Sequence, residues 1–210
     1  MAAFGRLGSL TTTALLTAAL SAGAALPALA ATPAATTTTM AAAAAAKPDY
    51  ATWQADIAVV MDQADAYIAA RTASVPAGQK PAIVLDIDNT ALETDYSSGL
   101  PTPAIRRTLA LANYAHDRGV KIFFVSARPD LIQPITQHNL KSVGYTVDGL
   151  YGRSLIDLFT EVSKFKTAQR AKIEKDGYTI IANIGNNTTD LTGGHAERTF
   201  KLPDYDGQLS

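Results

Sequence analysis

A doubly wound α/β fold, with a parallel sheet covered by helices on both faces, is what this sequence predicts. Three observations carry the prediction. Short apolar runs rich in β-formers alternate with stretches of helical period. Each apolar run ends in polar residues able to do chemistry, and such folds place their sites beyond the carboxyl ends of the strands. Glycines stand where the helical stretches stop.

The elements begin at Tyr50. Trp53, Ile57, Val60, Met61, Ala64 and Ile68 recur every three to four residues and predict an extra N-terminal helix ending near Ala73, stopped by Pro76 and Gly78. The run Ala82 to Leu85 is the first strand and ends in Asp86-Ile87-Asp88-Asn89-Thr90. Val120 to Val125 is the second and ends in Ser126-Ala127-Arg128-Pro129; Tyr178 to Ile184 is the third and ends in Gly185-Asn186-Asn187. Continuous rather than alternating apolar character predicts strands buried on both faces. Helical patterns lie at Pro103 to Asp117, Leu131 to Val143 and Leu155 to Asp176, closed by Gly119, Gly144 and Gly177. Only Leu92 to Pro101 separates the first acidic motif from the next helix, so any cap over the site is minimal.

At 210 residues and 47% apolar composition the chain is long enough for one domain with a sizeable core. Its 18 basic and 19 acidic residues give no global electrostatic case for nucleic-acid or anionic-membrane binding, nucleotides as substrates aside. Cysteine is absent, which excludes disulfides and thiolate metal sites. Arg6, an apolar stretch from Ala14 to Leu26 and Ala28-Leu29-Ala30 describe a secretory signal peptide over residues 1–30. The stretch is shorter than a bilayer span, so a secreted, extracellular protein without a stable membrane anchor is expected. The Thr/Ala-rich residues 31–49 read as a flexible spacer, and 50–210 as the folded domain.

The chemistry sits at the strand ends. Asp86 and Asp88 are two residues apart, so a strand continued past Leu85 would put both carboxylates on one face. With Asn186 and Asp190 they form an oxygen-rich set suited to a hard cation, Mg2+ above all. Such a cation shields an incoming phosphate from the repulsion of Asp86. Ser126 offers a hydroxyl, and the loop amides after it can cradle phosphoryl oxygens. Lys166, preferred over Lys164, supplies a cation for the charge that develops in transfer. His116, His138 and His195 are scattered without metal-ligand spacing. No Gly-x-Ser-x-Gly elbow supports a serine hydrolase.

Asp86-Ile87-Asp88-Asn89-Thr90 resembles the D-x-D-x-T nucleophile motif of the haloacid dehalogenase (HAD) superfamily, and Val125-Ser126-Ala127-Arg128 resembles its second motif. Arg128-Pro129-Asp130, Thr136, Asn139-Leu140, Gly144-Tyr145, Lys166 with Arg170, and Arg198-Thr199-Phe200-Lys201-Leu202-Pro203 are similar to the acid phosphatases related to plant vegetative storage proteins and class B bacterial enzymes. The similarity runs from about residue 50 to 205. It implies a Rossmann-like, HAD-type sheet and hydrolysis of small phosphomonoesters through a phosphorylated Asp86. It also implies Asp88 as acid and base, Ser126 and Lys166 as catalytic partners, and Asn89, Thr90, Ser126, Ala127 and Arg128 as substrate contacts. Asp86, Asp88 through its backbone carbonyl, Asn186 and Asp190 are the magnesium ligands it implies.

Asn186 departs from the family pattern, which begins its fourth motif Gly-Asp. The lost charge leaves open whether Asn186, Asp190 or both bind metal, and on this reading Asn186→Asp is expected to tighten magnesium binding. Arg128 is open between touching substrate and pinning its loop, and the N-terminal helix between covering the site and leaving it free. A non-catalytic storage-type relative with the same fold is the rival reading, supported by Asn186.

Overall fold

The computed structural model describes residues 47–209; the expected signal peptide and most of the spacer lie outside them. Asp49 opens the first helix, α1 (Tyr50–Thr72), its carboxylate accepting from the Thr52 N–H at 3.0 Å and so satisfying one free amide of the first turn. Pro48 accepts the Tyr96 hydroxyl at 2.7 Å, so residues 47–49 pack with the domain. Trp53, Ile57, Met61, Ala64 and Ile68 form the buried stripe of α1, at the spacing of one helical face.

Five strands make one all-parallel sheet in the order β3-β2-β1-β4-β5. They are β1 (Pro81–Leu85), β2 (Lys121–Pro129), β3 (Gly149–Arg153), β4 (Thr179–Gly185) and β5 (Thr199–Lys201), connected through α2 (Arg106–His116), α3 (Gln133–Ser142), α4 (Val162–Lys175) and the short α5 (Thr188–Leu191). Alternate residues of the central strands face opposite layers. Ile83, Leu85, Ile122 and Phe124 join Trp53, Ile57, Leu111 and Leu140 on one side, while Ala82, Val84, Phe123 and Val125 join Phe165 and Ile173 of α4 on the other. The doubly wound architecture is therefore as expected, and it explains the unbroken apolar runs: both faces of the sheet are covered.

Two strands are unexpected and two helix starts differ from expectation, each for a physical reason. β3 reads Gly-Leu-Tyr-Gly-Arg, a composition with little intrinsic strand preference, and forms because the edge of β2 pairs with it. β5 is three residues long, too short to show a period. The helix expected from Pro103 starts at Arg106, since Pro103 O accepts from Glu93 N–H and Ile105 N–H donates to Ala91 O, committing that backbone to the preceding loop. The helix expected from Leu155 starts at Val162, because residues 154–160 form a separate tied turn.

Register aligns Leu85 with Phe124 on one side and Ile184 on the other. The ends of β1 and β4 are thus neighbours, while β2 runs on past its expected end at Val125 to Pro129 and brings Ala127 to a cavity that the other two loops line.

Candidate active site

β1 does not continue to Asp88. The Asp86 N–H still donates to Ile184 O (2.9 Å), and then the chain curls, with the N–H groups of Ala91 and Leu92 both reaching Ile87 O at 2.9 Å. Asn89 takes the left-handed conformation (φ 54°) that this turn needs and that Asn tolerates better than most residues. The tight turn, rather than strand alternation, brings Asp86 and Asp88 to one cavity. That cavity, of about 240 Å³, is also lined by Ala127, Val162, Lys166, Asn186, Asn187, Thr189 and Asp190.

Lys166 is its centre. The ammonium donates to Asp86 Oδ1 at 2.6 Å and to Asp190 Oδ1 at 2.5 Å, and all three residues are buried. Lys164 points elsewhere, exposed and paired with Glu161 at 3.1 Å. One ammonium shared by two buried carboxylates leaves a negative charge uncompensated. Burial, with the charge of Asp190 adding to it against the pull of Lys166, pushes the Asp86 carboxyl up to about 7. Burial pulls the Lys166 ammonium down, but its two carboxylate partners outweigh that and hold it above its ordinary value.

Asp190 is placed by α5. Its Oδ2 accepts from the Asn187 N–H at 2.8 Å, one half of a capping box. Its backbone oxygen accepts from Arg170 (2.6 Å) and Asn183 (2.9 Å). Gly185 is required below it, because a Cβ there would overlap the Asp190 side chain.

Several expected substrate contacts are supports instead. Arg128 grips Asp88 with a two-pronged fork, Nε to Oδ2 at 3.0 Å and Nη2 to Oδ1 at 2.7 Å, and does not itself line the cavity. Burial pushes the Asp88 carboxyl up, but this fork and the Thr94 hydroxyl (2.8 Å) outweigh it and hold Asp88 below the usual carboxylate range. Asn89 and Thr90 are buried and do not line the cavity. Asn89 Oδ1 accepts from the Asp95 N–H, while Thr90 Oγ1 accepts from the Asn186 N–H (3.0 Å) and donates to Asn186 Oδ1 (3.3 Å), stapling two loops together. Ser126 is buried, its hydroxyl accepting from the Arg128 N–H at 3.2 Å; its neighbour Ala127 reaches the cavity. Of the helix α1, no residue lines the cavity. Thr94, Asn183, Val162 and Thr189 went unnoticed in the sequence, and no residue pattern distinguishes them from ordinary loop and helix positions.

The oxygen set fits a hard divalent cation. Three carboxylates face one cavity against two cations, Lys166 and Arg128, leaving a net negative charge that such an ion would offset. Asn186 contributes less than its position suggests. Its amide nitrogen, which is no metal ligand, donates to Leu209 O at 2.8 Å, and its Oδ1 already accepts from the Thr90 hydroxyl at 3.3 Å, leaving one lone pair of Oδ1 for a metal. Among the described residues no three acidic or imidazole side chains already stand at metal-cage spacing; Lys166 stands between Asp86 and Asp190.

Comparison with known proteins identifies a family and a shared fold. The family described as HAD superfamily, subfamily IIIB (acid phosphatase) matches residues 9–100 and 97–208. The chain is 35% identical over 134 residues to the stem 28 kDa glycoprotein of Glycine max, covering 62% of this chain and 53% of that one. It is 34% identical over 107 residues to vegetative storage protein 1 of Arabidopsis thaliana, covering 50% and 39%. The chain thus spans about half the length, or less, of the curated relatives it matches. The class C acid phosphatase of Bacillus anthracis shares the fold, with a TM-score of 0.55 and 22% identity over 69% of this chain and 67% of that one.

Proposed function

The chain belongs to the HAD superfamily, subfamily IIIB acid phosphatases, and on that premise we propose that it is an exported, magnesium-dependent phosphomonoesterase that uses Asp86 as its nucleophile. One observation carries the reading: Asp86, Asp88 and Lys166 converge on a single cavity, with the Lys166 ammonium 2.6 Å from the Asp86 carboxylate.

An Asp86 carboxylate oxygen attacks the phosphorus of a monoester and the bond from phosphorus to the ester oxygen breaks, with Asp88 giving its proton to the departing oxygen. Asp88 then takes a proton from water as that water attacks the aspartyl phosphate, and the bond to Asp86 breaks to release phosphate. Lys166, already against Asp86, compensates charge on the transferring group. A bound magnesium ion, held by Asp86, the backbone carbonyl of Asp88, Asp190 and Asn186 Oδ1, would shield the phosphate from the carboxylates. Arg128 keeps Asp88 ionised in the free chain, the state the second step needs. Attack needs Asp86 ionised, which its value of about 7 opposes in acid unless the positive charge of a bound cation lowers it. With the cation bound, acid conditions and the charge of an arriving phosphate favour protonation of Asp88 for the first step, so an acidic, magnesium-dependent optimum is expected. Export rests on the N-terminal pattern ending at Ala30.

The test is release of phosphate from a chromogenic ester by the chain from residue 31 onward. Turnover is expected with magnesium, lost with chelator, and lost in Asp86→Asn; turnover that survives in Asp86→Asn contradicts the nucleophile. A storage-type, non-catalytic protein is the second reading, favoured by Asn186 and by similarity to a vegetative storage protein. Absence of turnover on every ester, with intact folding, decides for it.

A further inference from the structure

At about 240 Å³ the cavity is smaller than the roughly 300–1,000 Å³ of sites that enclose a whole small ligand. A phosphoryl group seated against Asp86 therefore leaves its ester group at the rim. Val162 is on that rim, and α4 places it one turn before Lys166 on the same face.

The turn over 154–160 ends two residues before Val162 and itself contributes no residue to the cavity lining. It displays Leu155, Ile156 and Phe159 to solvent at 75%, 81% and 93% exposure. Single exposed apolar side chains are ordinary, but three large ones within five residues form a patch. The turn is also held in that pose. Arg153 donates to Asp157 O (2.7 Å) and Thr160 O (2.6 Å), and the Asp157 carboxylate accepts from the Ser154 hydroxyl (2.7 Å) and N–H (3.0 Å). Its polar groups are committed inward while its apolar ones face out. Between Ser154 and Thr160 the sole charged side chain is this tied Asp157, so a charged ester group finds no cation there.

We propose that this turn, chiefly Ile156 and Phe159, binds the apolar part of the ester group, making monoesters of apolar alcohols the preferred substrates. The proposal rests on the phosphatase reading above. Its test compares n-hexyl phosphate with glycerol 2-phosphate, whose alkoxide leaving groups are of similar reactivity, on the wild type and on Ile156→Ser/Phe159→Ser. The variant should lose about tenfold in kcat/KM for hexyl phosphate, through KM, equivalent to roughly 55 Å² of lost apolar contact. Its activity on glycerol 2-phosphate should hold. Equal losses on both esters, or none, overturn the proposal. Calorimetric binding of n-hexylphosphonate and of inorganic phosphate decides the matter should neither ester turn over. The phosphonate binding more tightly, and only that preference falling in the variant, supports the turn even as the phosphatase reading fails. Equal binding of the two overturns the turn. A wild-type dimer that becomes monomeric in the variant with ester preference unchanged makes this a self-association surface and also overturns it.

Discussion

Asp86 is a buried carboxyl whose ionised form the surroundings disfavour, and that has a consequence for stability. Its folded value lies above the unfolded one, so its stabilising share is present below the ordinary 3.8 and is lost as pH rises to about 7. Asp86→Asn, a neutral replacement of the same shape, should therefore be more stable than the wild type at neutral pH by on the order of 2–4 kcal/mol. The gain should vanish below about pH 4. Thermal melting in chelator across that range measures it, and a variant less stable than wild type at neutral pH would show that the Lys166 ion pair outweighs burial. On the proposed mechanism, function and stability are opposed at this residue: the ionised carboxylate needed as a nucleophile is the form its burial disfavours. Arg128 shows the reverse arrangement. Its fork lets Asp88 stay ionised although mostly buried.

At the scale of elements, the loop after β4 is held by the segment 203–209. Asn186 donates to Leu209 O, Leu209 is fully buried, and Tyr205 donates to Asp56 of α1 at 2.6 Å. An aspartate at 186 has no donor for Leu209 O and would set a carboxylate against that carbonyl. Whatever it adds for magnesium, Asn186→Asp should lose about 1–3 kcal/mol of stability without metal and open the 203–209 segment to protease. Urea denaturation and limited proteolysis in chelator check both, and unchanged values in the two assays would mean the bond to Leu209 contributes nothing. The departure from the family pattern thus has a local physical partner. The amide that costs the site one charge holds a segment against it.

For the whole molecule, α1 is part of the core, not an appendage. Its five buried side chains cover one sheet face, and Trp53 stacks on Tyr96 at 4.2 Å. Ile57→Ala should cost about 2–5 kcal/mol. Trp53 is the single tryptophan, so its fluorescence reports α1 directly. In urea that signal should change together with far-UV circular dichroism; an earlier fluorescence transition would show α1 leaving alone.

The sequence by itself determined the α/β class, three of the five strands, the helix α1 and the family, because burial on both faces and helical period are local signals written in residue type. It also named Asp86, Asp88, Lys166 and Asp190, which lie together on one cavity: the first two because strand ends in a parallel sheet share a rim, the helix residues Lys166 and Asp190 through the family motifs they resemble. Only the tertiary structure decided the rest. β3 and β5 exist through pairing with neighbours, not through their own composition. Whether Arg128, Thr90 and Asn186 face the cavity or brace it depends on partners 23 to 96 residues away along the chain, and no local pattern encodes which of two hydrogen-bonding groups a polar side chain will meet. The same holds for the turn 154–160: its apolar residues read as a helix in sequence, and only the ties from Arg153 turn them to solvent.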